Sequence, residues 1–235
     1  MNKVIQGDCL EVMKDIPDKS IDMILCDLPY GTTACKWDTI IPFEPLWEQY
    51  KRIIKDNGAI VLTASQPFTS ALVMSNIKMF KYEWIWEKTK PSNFQCARFN
   101  HLKYHENICV FYNQVPTYIQ HNLKDCYIKS GRIGKGKNLN LKSLNNKDWI
   151  ATKTGYNHSL IKIANPSGAG HLHPTQKPVA LFEYLIKTYT NEGDLVLDNC
   201  AGSGTTGVAC KNLNRNYILI EKEPEYIDII NKRLN

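Results

Sequence analysis

The sequence predicts an α/β fold, a mainly parallel and doubly wound sheet with helices on both faces, interrupted by one loop-rich insertion. Short apolar, β-branched runs recur at 22–26, 59–63, 107–112, 195–197 and 217–220, each of strand length. Amphipathic helical periods lie between them. Strands alternating with helices favour a parallel sheet covered on both sides, with ligands gathering at the carboxyl ends of the strands. From about 114 to 170 that rhythm stops.

Taken in order, residues 1–4 lead into a strand pattern, and the run at 22–26 follows. Over 43–55 the helical period places Leu46, Trp47, Tyr50, Ile53 and Ile54 on one face, with Asn57-Gly58 expected as the C-cap before the next strand. Tyr82, Trp84 and Trp86 alternate at strand period and are expected in the core. The stretch 114–170 is rich in Asn, Lys, Gly and Ser, with Gly131, Gly134, Gly136 and the aromatics Tyr118, Tyr127, Trp149 and Tyr156. It reads as an insertion without long periodic elements, and long loops of that kind are functional or disordered. Val179, Phe182, Ile186 and Tyr189 then mark an amphipathic helix over 178–189. The chain thus divides into 1–112, an insertion at 113–170, and 171–235.

With 235 residues and 43% hydrophobic content, the chain can bury one substantial core. Its apolar runs fall far short of the ~20 residues of a membrane helix, so neither a membrane span nor a signal peptide is expected. The eight cysteines, at 9, 26, 35, 96, 109, 126, 200 and 210, never pair as Cys-x-x-Cys. Buried free thiols in a reducing cytoplasm account for them better than disulfides or zinc. His101 and His105 are spaced i, i+4 but lack a following glutamate and a third ligand, so no metal is expected. The formal charge is +6, and 122–153 alone holds eight Lys or Arg against Asp125 and Asp148, the same net charge. Such a concentration suits a phosphate-contacting surface, and equally a solvated loop. Lys88, Lys90, Arg98 and Lys103 leave the same two readings open.

Residues 194–207 read as a strand, a tight turn and a helix start. Gly202, Gly204 and Gly207 meet the G-x-G-x-x-G spacing, in which glycines let backbone N–H groups approach a ligand at a helix N-terminus. Glu221, seventeen residues after Gly204, can take both hydroxyls of a ribose. Together these describe a nucleoside site. A dinucleotide-binding oxidoreductase is the rival reading, but the 28 residues after Gly207 leave room only for helix, strand and helix. The remaining strands must come from earlier in the chain, in permuted order.

Asp27-Leu28-Pro29-Tyr30-Gly31 directly follows the run at 22–26 and so falls on the same rim. An exocyclic amine of a nucleobase is a poor nucleophile, because its lone pair is delocalised into the ring. The Asp27 carboxylate and the Leu28 carbonyl can accept its two N–H bonds, Pro29 fixes φ, and Tyr30 offers a ring for stacking on an extruded base. Alone, such a tetrapeptide is also an ordinary strand-ending turn.

The two motifs together resemble those of the S-adenosylmethionine-dependent DNA amino-methyltransferases of restriction-modification and phage systems, in the permuted (beta) group whose catalytic motif precedes its cofactor motif. The likeness spans about 1–112 and 171–235. Asp27-Leu28-Pro29-Tyr30 stands for the catalytic Asp-Pro-Pro-Tyr, and the resemblance places Asp27 in the cofactor site as well, with Asp8 and Cys9. Asp198-Asn199-Cys200-Ala201-Gly202-Ser203-Gly204-Thr205-Thr206 stands for the cofactor loop Asp-Pro-Phe-x-Gly-Ser-Gly-Thr-Thr, with Asn199 and Cys200 as departures. His173-Pro174-Thr175-Gln176-Lys177-Pro178 resembles an additional cofactor motif, in which His173, Thr175 and Lys177 belong to the cofactor site and the last two approach the methionine carboxylate. Gly7-Asp8-Cys9-Leu10 resembles the opening segment, with Asp8 near the cofactor adenine, and Glu221, Tyr226 and Arg233 fit the ribose-binding strand and closing helix.

The resemblance implies a Rossmann-like methyltransferase sheet, S-adenosylmethionine as cofactor, S-adenosylhomocysteine as product, no metal, and double-stranded DNA as partner. A homodimer and a cognate restriction endonuclease are further partners in such systems. Asp rather than Ser at position 27 favours adenine N6 over cytosine N4, and 113–170 becomes the target-recognition region. A non-catalytic DNA-binding relative is the remaining alternative.

Overall fold

The computed structural model describes residues 2–33, 35, 38–129, 150–165 and 176–235. They form two compact units, Met1–Ile119 with Ser159–Asn235, and Gln120–His158. In chain order the elements are β1 (Lys3–Gln6), α1 (Cys9–Val12), β2 (Ile21–Asp27), α2 (Phe43–Ile53), β3 (Ile54–Ala64), α3 (Phe68–Ser75), β4 (Phe80–Ser92) and β5 (Lys103–Phe111). There follow β6 (Lys124–Lys129), β7 (Ile150–Thr154), β8 (Leu160–Lys162), α4 (Val179–Tyr189), β9 (Leu195–Asp198), α5 (Thr205–Asn212), β10 (Asn216–Glu221) and α6 (Pro224–Leu234).

The large unit is built on an eight-stranded sheet of order β1-β10-β9-β2-β3-β5-β4-β8. Every neighbouring pair is parallel except those made by β5, which runs against both β3 and β4. The chain leaves β2 through α2 to reach β3 on one side, and leaves β9 through α5 to reach β10 on the other. The border between β2 and β9 is therefore a topological switch point, where a crevice opens beyond the carboxyl ends of the strands.

Alternation along β2 shows how the core is divided. Ile24 and Cys26 pack on one face with Leu46, Tyr50, Phe68 and Leu72 of α2 and α3. Met23 and Leu25 pack on the other with Leu181, Phe182, Ile186 and Ile230 of α4 and α6. Each fully buried side chain of this size contributes roughly 1.5–3 kcal/mol, so a one-residue slip of this strand would forfeit both faces at once.

The helix expected over 43–55 ends at Ile53, with Leu46, Trp47, Tyr50 and Ile53 buried. Asn57-Gly58 lies inside β3 and does not cap it. A Cβ at Gly58 would come within 2.7 Å of the Ile54 side chain and 2.8 Å of the Asp22 carbonyl oxygen. The glycine thus permits close strand approach where the β2–β3 register shifts. Trp84 and Trp86 are buried in β4 as expected, while Tyr82 is half-buried.

The stretch read as loop contains three short strands. Antiparallel β6 and β7 form the small unit's sheet, and β8 joins β4 in the large unit. β7 is mostly exposed, so no period of buried apolar residues announces it. Arg132, Lys135, Lys137, Lys142, Lys147, Asp148, Trp149 and the three insertion glycines lie outside the described residues. Lys153 on β7 pairs with Asp125 on β6.

His101 precedes β5 and His105 lies within it, so the two share no helix face. Among the described residues no group of three or more His, Cys, Asp or Glu could hold a metal ion, and no helix is long and apolar enough to cross a membrane. All eight cysteines are free.

Candidate active site

Parallel strands deliver their carboxyl ends to one rim. Asp8 after β1, Asp27 on β2, Ser65 after β3, Asp198 on β9 and Glu221 on β10 all line one cavity of about 890 Å³, within the ~300–1,000 Å³ range of small-molecule sites. The tetrapeptide and the glycine loop therefore share a cavity. Antiparallel β5 brings its amino end to the same rim, which adds Lys103 and Glu106 to the lining.

Asp27 is held from both sides. Its Oδ2 accepts from Lys177 Nζ at 2.6 Å, and its Oδ1 accepts from the Tyr30 hydroxyl at 2.7 Å and from Thr63 Oγ1. The Tyr30 ring stacks on Phe68 with centroids 5.2 Å apart, so the aromatic expected to stack on a base already packs on a protein ring. Burial, then the charges of Asp27 and Glu106, push the Tyr30 hydroxyl well above its usual range, which keeps it a donor to Asp27. Asp38 braces the segment beyond the tetrapeptide, accepting backbone N–H bonds from Gly31, Thr32 and Thr33 at 2.8, 2.9 and 2.7 Å. Those bonds outweigh burial and lower its pKa.

Lys177 also lies 3.3 Å from Glu106 Oε2, and Glu106 Oε1 pairs with Lys88. Lys88 and Lys177 are almost fully buried, so Lys88 is neither a solvated nor a phosphate-facing surface residue. Burial alone would depress the Lys177 pKa, but the charges of Asp27 and Glu106 raise it above the usual lysine value. Burial likewise opposes ionisation of Glu106, and its two lysines hold its pKa below normal.

The glycine loop is clamped at several points. Asp198 is buried at the end of β9, where it accepts from Cys200 N at 3.1 Å and from Thr206 Oγ1. Desolvation pushes its pKa up to about 7. Gly202 and Gly204 adopt left-handed φ values of 50° and 79°, and Gly204 is the N-cap of α5. Glu221 Oε2 accepts from Gly202 N at 2.7 Å, and Oε1 accepts from Lys222 N and Glu223 N at 2.8 and 2.9 Å. Arg233 of α6 donates to the carbonyl and hydroxyl oxygens of Ser203 at 2.6 and 3.0 Å. Cys200, Ala201 and Thr205 complete the lining on this side.

A family model described as DNA methylase matches residues 21–232. The chain belongs to the DNA methylase family. The type II methyltransferase M.HinfI of Haemophilus influenzae is 31% identical over all of this chain and 68% of that protein. M2.MboI of Moraxella bovis is 30% identical over 98% of this chain and 86% of its own length. Among solved structures, the M1.HpyAVI–SAM complex aligns over all of both chains with a TM-score of 0.68 and 29% identity. The cytosine-N4-specific PvuII DNA methyltransferase aligns with a TM-score of 0.73 at 17% identity and shares the fold.

In this DNA methylase the two departures in the glycine loop have structural partners. Asn199 Oδ1 accepts from the Tyr50 hydroxyl of α2 at 2.6 Å, and its Nδ2 donates to Cys200 Sγ at 3.5 Å. Burial pushes the Cys26 thiol up to about 12. Asp8 caps α1 by accepting from Leu10 N at 3.0 Å. Leu28, Pro29 and Tyr226 line the cavity, whereas His173 and Thr175 lie outside the described residues.

Sequence reasoning does not mark Thr63, Asp38 or Glu106 as site residues, and offers Lys88 only as a phosphate-facing or solvated residue. Lys88 had a readable sign: it continues the inward positions Tyr82, Trp84 and Trp86 at period two, where a lysine demands a buried partner. Glu106 had a weaker one, since the expectation that ligands gather at carboxyl ends passes over the amino end of an antiparallel strand.

Proposed function

We propose that this DNA methylase transfers a methyl group from S-adenosylmethionine to N6 of adenine in double-stranded DNA, on a base turned out of the helix. The observation that carries this is one cavity lined both by Asp27, Leu28, Pro29 and Tyr30 and by Cys200, Ala201, Gly202, Ser203 and Thr205. The left-handed Gly202 and Gly204 let the backbone come close to a ligand.

When bound, S-adenosylmethionine supplies the electrophilic methyl group. Asp8, Cys9, the loop from Asp198 to Thr205, and Glu221 would hold it, together with His173, Thr175 and Lys177. Glu221 spends three acceptor positions on backbone N–H groups, so its first contribution is to fix the loop and its second is to leave the roughly one remaining lone pair for a ribose hydroxyl. Asp27 and the Leu28 carbonyl accept the two amine N–H bonds and aim the nitrogen, while Tyr30 and Thr63 fix the carboxylate plane. Alignment of this kind is the main source of rate when the leaving group is supplied by the cofactor.

The acidic first residue of the tetrapeptide favours adenine over cytosine N4. The assignment further divides the chain into a catalytic half at 1–112, a target-recognition region at 113–170 and a cofactor half at 171–235, the permuted motif order. Cytoplasmic action in a bacterial or phage restriction-modification system, a homodimer and a cognate endonuclease extend the same reading. Labelled S-adenosylmethionine and DNA, followed by digestion to nucleosides, test it: N6-methyladenine supports it, N4-methylcytosine reassigns the acceptor, and unlabelled DNA refutes it.

A further inference from the structure

Two lysines and two carboxylates are stacked at the back of the cavity in the order Lys88, Glu106, Lys177, Asp27. The side chains of Lys88, Glu106 and Lys177 are 6%, 12% and 7% exposed. Lys88 also sits 5.2 Å from the Trp86 ring centroid and Lys177 5.6 Å from that of Tyr30. These four groups alternate in sign and sum to zero, and Lys103 is a further cation near Glu106 and Lys88.

The internal balance of the four is uneven. Lys177 is 2.6 Å from Asp27 Oδ2 and 3.3 Å from Glu106 Oε2, and that Glu106 oxygen is buried without a hydrogen bond among the described residues. Lys177 thus leans on the very carboxylate that has to receive the amine. Glu106 is the second anion within its reach.

We propose that Glu106 is a positioning residue for methyl transfer: it draws Lys177 away from sole possession of Asp27, so that an Asp27 lone pair stays available to the base amine. This rests on the methyl-transfer reading above. Without Glu106, Lys177 has only Asp27 to pair with and closes on it, and the amine loses its acceptor while the glycine loop is untouched.

The test is Glu106→Gln in the full chain, with kcat, the KM for DNA, the S-adenosylmethionine dissociation constant and the melting temperature all measured. The expected result is a fall in kcat of about 10²-fold, the scale of an ~1 Å misplacement, with the KM for DNA unchanged and the cofactor dissociation constant shifted far less than kcat. Because Glu106→Gln also strands Lys88, the double variant Lys88→Met/Glu106→Gln is compared. It should regain melting temperature yet keep the low kcat, since Lys177 still lacks its second anion. Parental kcat in Glu106→Gln overturns the proposal, and so does recovery of kcat along with stability in the double variant, which would make Glu106 a mere counter-ion for Lys88. A parent chain that binds the cofactor but transfers no methyl group refutes instead the reading on which the proposal rests.

Discussion

Asp27 and Asp198 are the last residues of adjacent parallel strands, β2 and β9, and the protein treats them in opposite ways. Asp198 is sealed under the glycine loop with hydroxyl and amide donors but, among the described residues, no cation, and desolvation lifts its pKa to about 7. Asp27 is partly open to the cavity and is matched with Lys177. The difference teaches that a carboxylate at a strand end is not one kind of device: with neutral donors it shapes a loop, and with a buried cation it faces the cavity.

Replacing Asp27 by Asn should give the largest effect. The change preserves volume but removes the charge opposite Lys177 and substitutes donors for acceptors, so transfer should fall by at least ~10²–10³-fold while cofactor affinity holds. Measuring transfer to DNA alongside a cofactor titration checks both halves. Retained transfer would remove Asp27 from the chemistry and leave the two aspartates alike.

Asp198→Asn should act differently, on the loop and on its pH response. The folded pKa of Asp198 stands above its ordinary 3.8, so the folded state binds the proton more tightly. The stability it contributes is full below about 4 and is lost as pH rises through about 7, with a slope of up to ~1.4 kcal/mol per pH unit. Urea unfolding between pH 4 and 8 should show the parent losing stability relative to Asp198→Asn as pH rises. Parallel curves would mean that Asp198 is ionised in the folded state and that the contrast with Asp27 is false.

Much of this contrast was legible in the sequence. The alternation of strands and helices gave the layers, and the two motifs marked the rim, because each combined a strand end with residues of special backbone or acceptor chemistry. What escaped was long-range pairing. Thr63, 36 residues from Asp27, and Glu106, on the strand of the large sheet that runs the other way, act only because the sheet order places β3 beside β2 and β5 beside β3. The helix end at Asn57-Gly58 was misread for a related reason: glycine serves a left-handed cap and a tight strand contact equally well, and only the neighbouring Asp22 carbonyl decides between them.

A smaller effect is expected at Gly204, where φ is 79° and an added Cβ would meet Ile230 Cγ1 at 3.0 Å. Gly204→Ala should cost about 1–2 kcal/mol through the left-handed backbone alone, read as a lowered melting temperature. Cofactor affinity should fall as well, because the strained residue begins α5. Unchanged affinity with lowered stability would separate the loop's fold from its ligand contact.

The smallest effect on turnover concerns the bond that ties α2 to the glycine loop. The Tyr50 hydroxyl of α2 donates to Asn199 in the glycine loop at 2.6 Å, and both groups are buried. Tyr50→Phe keeps the ring, which packs edge-on to Trp47 at 5.7 Å, and deletes only the donor. The unpaired Asn199 oxygen then costs about 1–3 kcal/mol, falling on the loop that carries Asp198 and not on the lysine cluster that holds Asp27. Melting temperature and cofactor affinity should therefore decline modestly while kcat at saturating cofactor stays at the parental value. A drop in kcat instead would show that the loop and the tetrapeptide are mechanically coupled through α2, and that the two aspartates do not act as separate devices.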